Sequence, residues 1–267
     1  MRDSFGREID YLRISVTDKC NLRCRYCMPA TGVAQKRHGD VLRVEQFVQV
    51  VEAATELGIS KIRLTGGEPL VRKGIVELVR QIAAVPGVEK VAMTTNGLLL
   101  KTMAQELRGA GLTHLNISLD TLDPEAYARV TRGGRLEDAL AGALEAKNVG
   151  FETIKVNTVV TEAEYHADEM GALQAFCDQH GFELQRIAEY SLSEEKRDTM
   201  QFERPLPCSE CNRVRLLSTG VLKPCLHSDQ EIPVDFNNIT ESLKAAILSK
   251  PEYGTVCTNR SMVEIGG

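Results

Sequence analysis

Short apolar, β-branched runs alternate with longer amphipathic stretches along most of this 267-residue chain, and that alternation constrains the fold most. Strand candidates begin near Leu12, Ile62, Val91, Leu115, Ile154 and Leu184, and helical patterns fill 44–57, 75–84, 99–110, 136–148 and 169–180. Gly58, Gly87, Gly111, Gly150 and Gly181 stand where those helices end, as C-terminal caps prefer. Parallel strands joined by helical crossovers predict a sheet covered by helices. The units average about 34 residues, so a closed eight-unit barrel would consume the whole chain. After Tyr190 the pattern changes. The expectation is an α/β fold: an open, partial (β/α)6 barrel of the TIM type over residues 1–190, a polar linker over 191–207, and a small C-terminal cysteine-bearing region over 208–267. That region is expected to hold a hairpin (214–217 and 221–223) and a helix near 239–249.

In barrels of this kind, chemistry collects on the loops that follow the strands. The first such loop carries Cys20, Cys24 and Cys27 in the run Cys-Asn-Leu-Arg-Cys-Arg-Tyr-Cys. Gly66-Gly67-Glu68-Pro69 follows the second strand, Thr94-Thr95-Asn96-Gly97 ends the third, and Ser118 with Asp120 ends the fourth. Soft thiolates favour iron–sulfur clusters, zinc or Cu(I). Structural zinc would require a distant fourth ligand. A [4Fe–4S] cube on three thiolates would leave one iron open to another ligand.

A second triplet, Cys208, Cys211 and Cys225, has the spacing C-x2-C-x13-C. It reads as half a zinc ribbon completed by Cys257, or as a second [4Fe–4S] cluster with an open iron. Arg213 and Arg215 follow at alternate positions and so share one strand face. Basic residues also fall on the predicted strands at Arg13, Lys61, Arg63, Lys155 and Arg186. Cations projecting inward together are costly without an anion among them, and the guanidinium fork suits a polyphosphate. Cys177 reads as a small buried hydrophobe within a helix.

Charge and composition narrow the classes. A net charge of −5 argues against a general nucleic-acid binder. No apolar run approaches a membrane span, and the first residues lack the apolar core of an export signal. Six of eight cysteines in two spaced triplets then read as metal ligands in a reducing cytoplasm, not as a disulfide framework.

The aromatic Tyr26 before the last cysteine of the first triplet makes that run resemble the signature of the radical S-adenosylmethionine superfamily. Over 10–190 and again from 208 to the end, the chain resembles the molybdenum cofactor biosynthesis protein A family, the GTP 3′,8-cyclases. The carrying motifs are Leu-Arg-Ile-Ser-Val-Thr-Asp-Lys-Cys-Asn-Leu-Arg-Cys-Arg-Tyr-Cys-Met-Pro, Lys-Ile-Arg-Leu-Thr-Gly-Gly-Glu-Pro-Leu, Thr-Thr-Asn-Gly, Asn-Ile-Ser-Leu-Asp, Cys-Asn-Arg-Val-Arg-Leu and the terminal Gly266-Gly267.

The resemblance implies a lyase with two [4Fe–4S] clusters and S-adenosyl-L-methionine, acting in molybdenum cofactor biosynthesis through a 5′-deoxyadenosyl radical. Cys20, Cys24 and Cys27 would hold the first cluster, and Cys208, Cys211 and Cys225 the auxiliary one. Tyr26, Gly66, Gly67, Glu68 and Ser118 would form the S-adenosylmethionine site. Arg13, Arg63, Thr94, Lys155, Arg213 and Arg215 would bind GTP, with Gly266 and Gly267 entering the active site. No single acid–base residue is implied. An electron donor such as flavodoxin or ferredoxin is implied as partner, with a homodimer as an option and neither membrane nor nucleic acid expected.

One departure stands out. The family has a longer segment between the sixth strand and the second triplet, and a methionine near the end of that sixth-strand segment, where this chain reads Ala188-Glu189-Tyr190-Ser191. The contraction at 191–207 motivates an alternative, a paralogue acting on a peptide or another nucleotide. A third reading is a non-catalytic metal module.

Overall fold

The six expected strands are present in the computed structural model, which describes residues 1–34, 36–161, 168–196 and 206–266. They are β1 (Tyr11–Ser15), β2 (Lys61–Thr65), β3 (Lys90–Thr95), β4 (His114–Ser118), β5 (Thr153–Val160) and β6 (Glu183–Ala188). Each is hydrogen-bonded in parallel to the next. The crossovers carry α1 (Val44–Glu56), α2 (Ile75–Ala83), α3 (Leu100–Gly109), α4 (Pro124–Thr131), α5 (Leu136–Asn148) and α6 (Asp168–His180).

Strand alternation assigns the two faces of the sheet. Leu12 and Ile14 of β1 are fully buried and lie in register with Ile62 and Leu64 of β2. This row packs against helix faces such as Ile75, Leu78, Val79 and Ile82 of α2, whose spacing makes one apolar stripe. The intervening Tyr11, Arg13 and Ser15 point to the opposite, concave side. Polar chemistry therefore gathers on one face and the apolar core on the other.

Helix α4 is not among the sequence expectations. Its start follows local rules: Asp123 accepts the Ala126 N–H at 2.5 Å and Pro124 takes the first turn.

The C-terminal region continues the same sheet. β7 (Arg213–Leu216) pairs in parallel with β1, so the order runs β6-β5-β4-β3-β2-β1-β7, and the antiparallel strands β8 (Val221–Lys223) and β9 (Ile232–Pro233) follow. Val214, Leu216 and Leu222, with Leu243, Ala246 and Ile247 of α7 (Ile239–Leu248), belong to the main apolar core. Leu192, Leu217, Leu226, Cys257 and Ile265 form a second, smaller cluster under the tail helix α8 (Met262–Ile265). Of the expected linker, 197–205 lies outside the described residues. Leu192 accepts the Cys257 N–H at 2.7 Å, and the Lys196 N–H donates to Thr255. No helix among the described residues is long and apolar enough to cross a membrane.

Candidate active site

One cavity lies over the concave face at the carboxyl ends of the strands. Cys20, Cys24, Cys27 and Tyr26 line it from the first loop, and Gly66, Gly67, Glu68 and Ser118 from the next ones. Arg13, Arg63, Thr94, Arg213, Arg215 and Gly266 line it as well.

The glycine pair is there because the cysteine loop leaves no room for side chains. A Cβ on Gly66, whose φ is 140°, would lie 2.4 Å from the Thr17 carbonyl oxygen, and one on Gly67 2.3 Å from that of Lys19. Gly67 and Glu68 donate their N–H groups to those two carbonyls, each at 2.8 Å. Glu68 is buried and accepts from the Leu70 N–H, the Thr95 hydroxyl and the Asn96 N–H. Burial pushes its carboxyl up to about 7 against those three donors. Tyr26 donates to Asp120 at 2.8 Å, which fixes the aromatic ring behind the last cysteine.

Across the cavity stands a row of arginines. Arg13 of β1 is in register with Arg63 of β2 on one side and with Arg215 of β7 on the other. Parallel strands lie about 4.8 Å apart, so three guanidinium groups project side by side. Arg213 sits over the Tyr11 ring at 6.0 Å. Burial, then Arg215, brings Arg13 down to about 9, and burial with Arg213 lowers Arg215. Among the described residues no carboxylate pairs with Arg63, Arg213 or Arg215, and the buried Nε atoms of the last two lack a partner. Arg63 is aimed by the Tyr11 hydroxyl, Thr94 (3.2 Å) and Asn116 (2.6 Å). Such a row has the charge and the fork geometry to hold a polyanion.

The tail closes one edge. The carbonyl of Gly266 accepts from Arg13 Nη2 at 2.9 Å and from the Thr65 hydroxyl at 3.1 Å. Gly267 lies outside the described residues. The other expected cations go elsewhere. Lys155, beside Asn116 in register, pairs with Glu183 at 2.5 Å and does not line the cavity. Lys61 pairs with Asp10, and Arg186 donates to Gln174 of α6.

The second triplet lies at the start of β7 and beyond β8. Lys250 reaches Cys211 Sγ at 3.5 Å and Lys196 reaches Cys208 Sγ at 3.2 Å. The Gly254 N–H donates to Cys208 Sγ at 3.4 Å, and a Cβ there would stand 3.3 Å from Cys225 Sγ. Cys257 is buried in the smaller apolar cluster with its thiol donated to Asn259.

Comparison with known proteins agrees with this arrangement. Residues 14–171 match the Radical SAM superfamily. A GTP 3′,8-cyclase of Alkaliphilus oremlandii (strain OhILAs) is 40% identical over 321 aligned positions that cover both chains completely. Another, of Peptoclostridium acidaminophilum, is 42% identical over 86% of this chain and 84% of its own. This chain belongs to the GTP 3′,8-cyclase family of the radical SAM superfamily.

Solved structures share the fold. Streptococcus suis SuiB bound to precursor peptide SuiA matches with TM-score 0.66 at 17% identity, over 83% of this chain and 60% of SuiB. Native anSMEcpe with bound AdoMet matches with TM-score 0.64 at 16% identity, over 91% of this chain and 81% of that one. An alignment of 321 positions against 267 residues means that the Alkaliphilus relative carries residues with no counterpart here.

Membership of the superfamily implies a [4Fe–4S] cluster and S-adenosylmethionine, and the N-terminal loop fits them. Three thiols share one loop at the cavity edge, and no three metal-binding side chains among the described residues converge on a single ion. In a cubane each thiolate holds a different iron, so convergence on one point is not required. Cavity residues to which the sequence assigns no role include Tyr11, Asn116, Asn157 and Gln185. Asn116 donates to Asn157 at 2.8 Å and to Gln185 at 3.4 Å, a polar belt across β4, β5 and β6. The available signal was a polar residue at every second position of otherwise apolar strands.

Proposed function

We propose that this chain converts GTP to a 3′,8-cyclised nucleotide, a step of molybdenum cofactor biosynthesis. The observation that carries this reading is the row Arg63–Arg13–Arg215, facing the cysteine loop across one cavity. In this reading Cys20, Cys24 and Cys27 hold the N-terminal [4Fe–4S] cluster. Tyr26, Gly66, Gly67, Glu68 and Ser118 hold S-adenosylmethionine. When bound there, cluster and S-adenosylmethionine would supply the radical chemistry for hydrogen abstraction at the ribose 3′ position of GTP.

This chain's own residues position the substrate and exclude water. Arg13, Arg63, Arg213 and Arg215 neutralise the triphosphate, which removes the repulsion they suffer when the cavity is empty. Thr94 and Asn116 hold Arg63 at its angle. Lys155 joins the substrate contacts only by exchanging Glu183 for the nucleotide. Gly266 seats the tail against Arg13, and Gly267 is assigned to the substrate contacts with it. Cys208, Cys211 and Cys225 hold an auxiliary cluster beside Arg213 and Arg215, with Lys250 and Lys196 offsetting thiolate charge. A flavodoxin or ferredoxin delivers the electron.

The test is anaerobic reconstitution with iron, sulfide, reductant, S-adenosylmethionine and GTP. Equal amounts of 5′-deoxyadenosine and cyclised nucleotide are expected. Deoxyadenosine without any cyclised nucleotide would overturn the cyclase reading, and would favour another substrate for this shorter chain.

A further inference from the structure

Helix α4 ends at Arg132 with φ 54 and ψ 55, the one non-glycine residue of positive φ among the described residues. Glycine takes this left-handed conformation freely and arginine does not. A plain helix stop would therefore be better served by glycine, as at Gly58 or Gly150. What arginine adds is its side chain. Nη1 donates to the carbonyl of Arg23 at 3.0 Å and to that of Met28 at 2.8 Å. Those two residues flank the segment from Cys24 to Cys27 on either side.

The rest of the turn grips the same loop. The N–H groups of Arg23 and Arg25 donate to Thr131 and Val130 at 3.1 and 3.0 Å. Gly134 packs so closely that a Cβ there would meet the Tyr127 ring at 2.9 Å and Leu22 at 3.0 Å. Arg23 turns its own guanidinium to the carbonyls of Cys20 and Leu22, both at 2.8 Å. Two cations thus hold four carbonyls of residues 20–28.

We propose that Arg132 is a positioning residue for the N-terminal cluster, a clamp across the Cys24–Cys27 segment whose side-chain bonds justify a strained backbone. By bonding both flanks it sets their separation, and with it the directions of the Cys24 and Cys27 sulfurs. The inference rests on the assignment of this loop as the cluster ligand under the proposed function. Groups that hold metal ligands in place typically change metal affinity by about tenfold or more when removed.

Arg132→Gly separates the clamp from the helix stop, because glycine relieves the backbone and deletes the side chain. Four quantities decide: the unfolding midpoint, amide hydrogen exchange over 20–28 in metal-free protein, chelator-driven iron release, and the cluster reduction potential. Iron release and potential are read in a Cys208→Ala/Cys211→Ala background, so that only the N-terminal site reports. The glycine variant is expected to unfold at the same or a higher midpoint. Its Arg23 and Arg25 amides should exchange about tenfold faster, its iron should leave about tenfold faster, and its potential should fall with the lost cation. Arg132→Lys should restore part of each. Wild-type exchange and iron release in the glycine variant would overturn the proposal, as would a rise in loop exchange no larger than that of every other amide. If the wild-type loop binds no iron at all, the exchange data still judge the clamp, and the cluster assignment is what fails.

Discussion

At the N-terminal loop, burial pushes the Cys24 thiol up to about 12, and Asp120 and Cys20 add to the shift. Cys20 and Cys27 move the same way, again chiefly through burial. At the C-terminal triplet, burial also opposes the thiolate of Cys211, yet Lys250 and the two arginines outweigh it and bring the thiol down to about 7. Cys225 moves up instead, with burial prevailing over Arg215. The first loop's thiols therefore face burial and the Asp120 and Glu68 carboxylates, with Arg23 a smaller opposing charge. The second has part of that compensation built in by Lys250 and Lys196. Under the proposed function the two triplets would meet different neighbours, a sulfonium beside the first and a polyanion beside the second.

The largest expected effect separates the two triplets by reaction step. Cys24→Ala or Cys27→Ala should abolish deoxyadenosine formation completely. Cys211→Ala should leave that step measurable and lose the cyclised nucleotide, as read by chromatography of both products. If both variants lose both products alike, the comparison fails.

Glu68 tests the acidic side. Its carboxyl stands at about 7 in the fold against an ordinary 4.5, so the folded state binds the extra proton between those values. That stability is full below about pH 4.5 and is lost as pH rises through 7, amounting to about 3 kcal/mol. Chemical unfolding of metal-free protein at about pH 5 and about pH 8 should show this loss, and Glu68→Gln should flatten it.

On the basic side, Arg213→Ala together with Arg215→Ala should weaken GTP about hundredfold, within the cost of removing buried charge partners. Binding of S-adenosylmethionine should be unchanged by calorimetry. The ligand-free fold should be no less stable, because the buried cation of Arg215 and the half-buried one of Arg213, neither paired with a carboxylate among the described residues, leave with the side chains. Unchanged GTP affinity would move the polyanion site elsewhere.

The smallest effect concerns Lys250→Gln. Without that ammonium the Cys211 thiol should return toward its ordinary 9.0. Alkylation of metal-free protein near neutral pH should then slow about tenfold at Cys211, and not at Cys24.

Much of the architecture is legible in the sequence, because strand alternation and glycine caps are local signals. Cysteine loop, glycine pair and Thr94 are legible too, since each sits at or just after the end of a strand whose period announces it. What escapes is register. That Arg13 stands between Arg63 and Arg215 depends on β7 joining β1 from some two hundred residues away, which no local pattern encodes. For the same reason Lys155 reads like the other inward cations, although Glu183 on the neighbouring strand takes it. Helix α4 is short, and only the Asp123-Pro124 start announces it. Arg132 looks like one more surface arginine until its backbone conformation and two carbonyl partners are seen.

The most direct measurement follows the hydrogen atom. GTP deuterated at the ribose 3′ carbon should pass its label into 5′-deoxyadenosine in the anaerobic reaction, with cyclised nucleotide formed in step. Label that stays entirely in the nucleotide while deoxyadenosine accumulates would contradict the account.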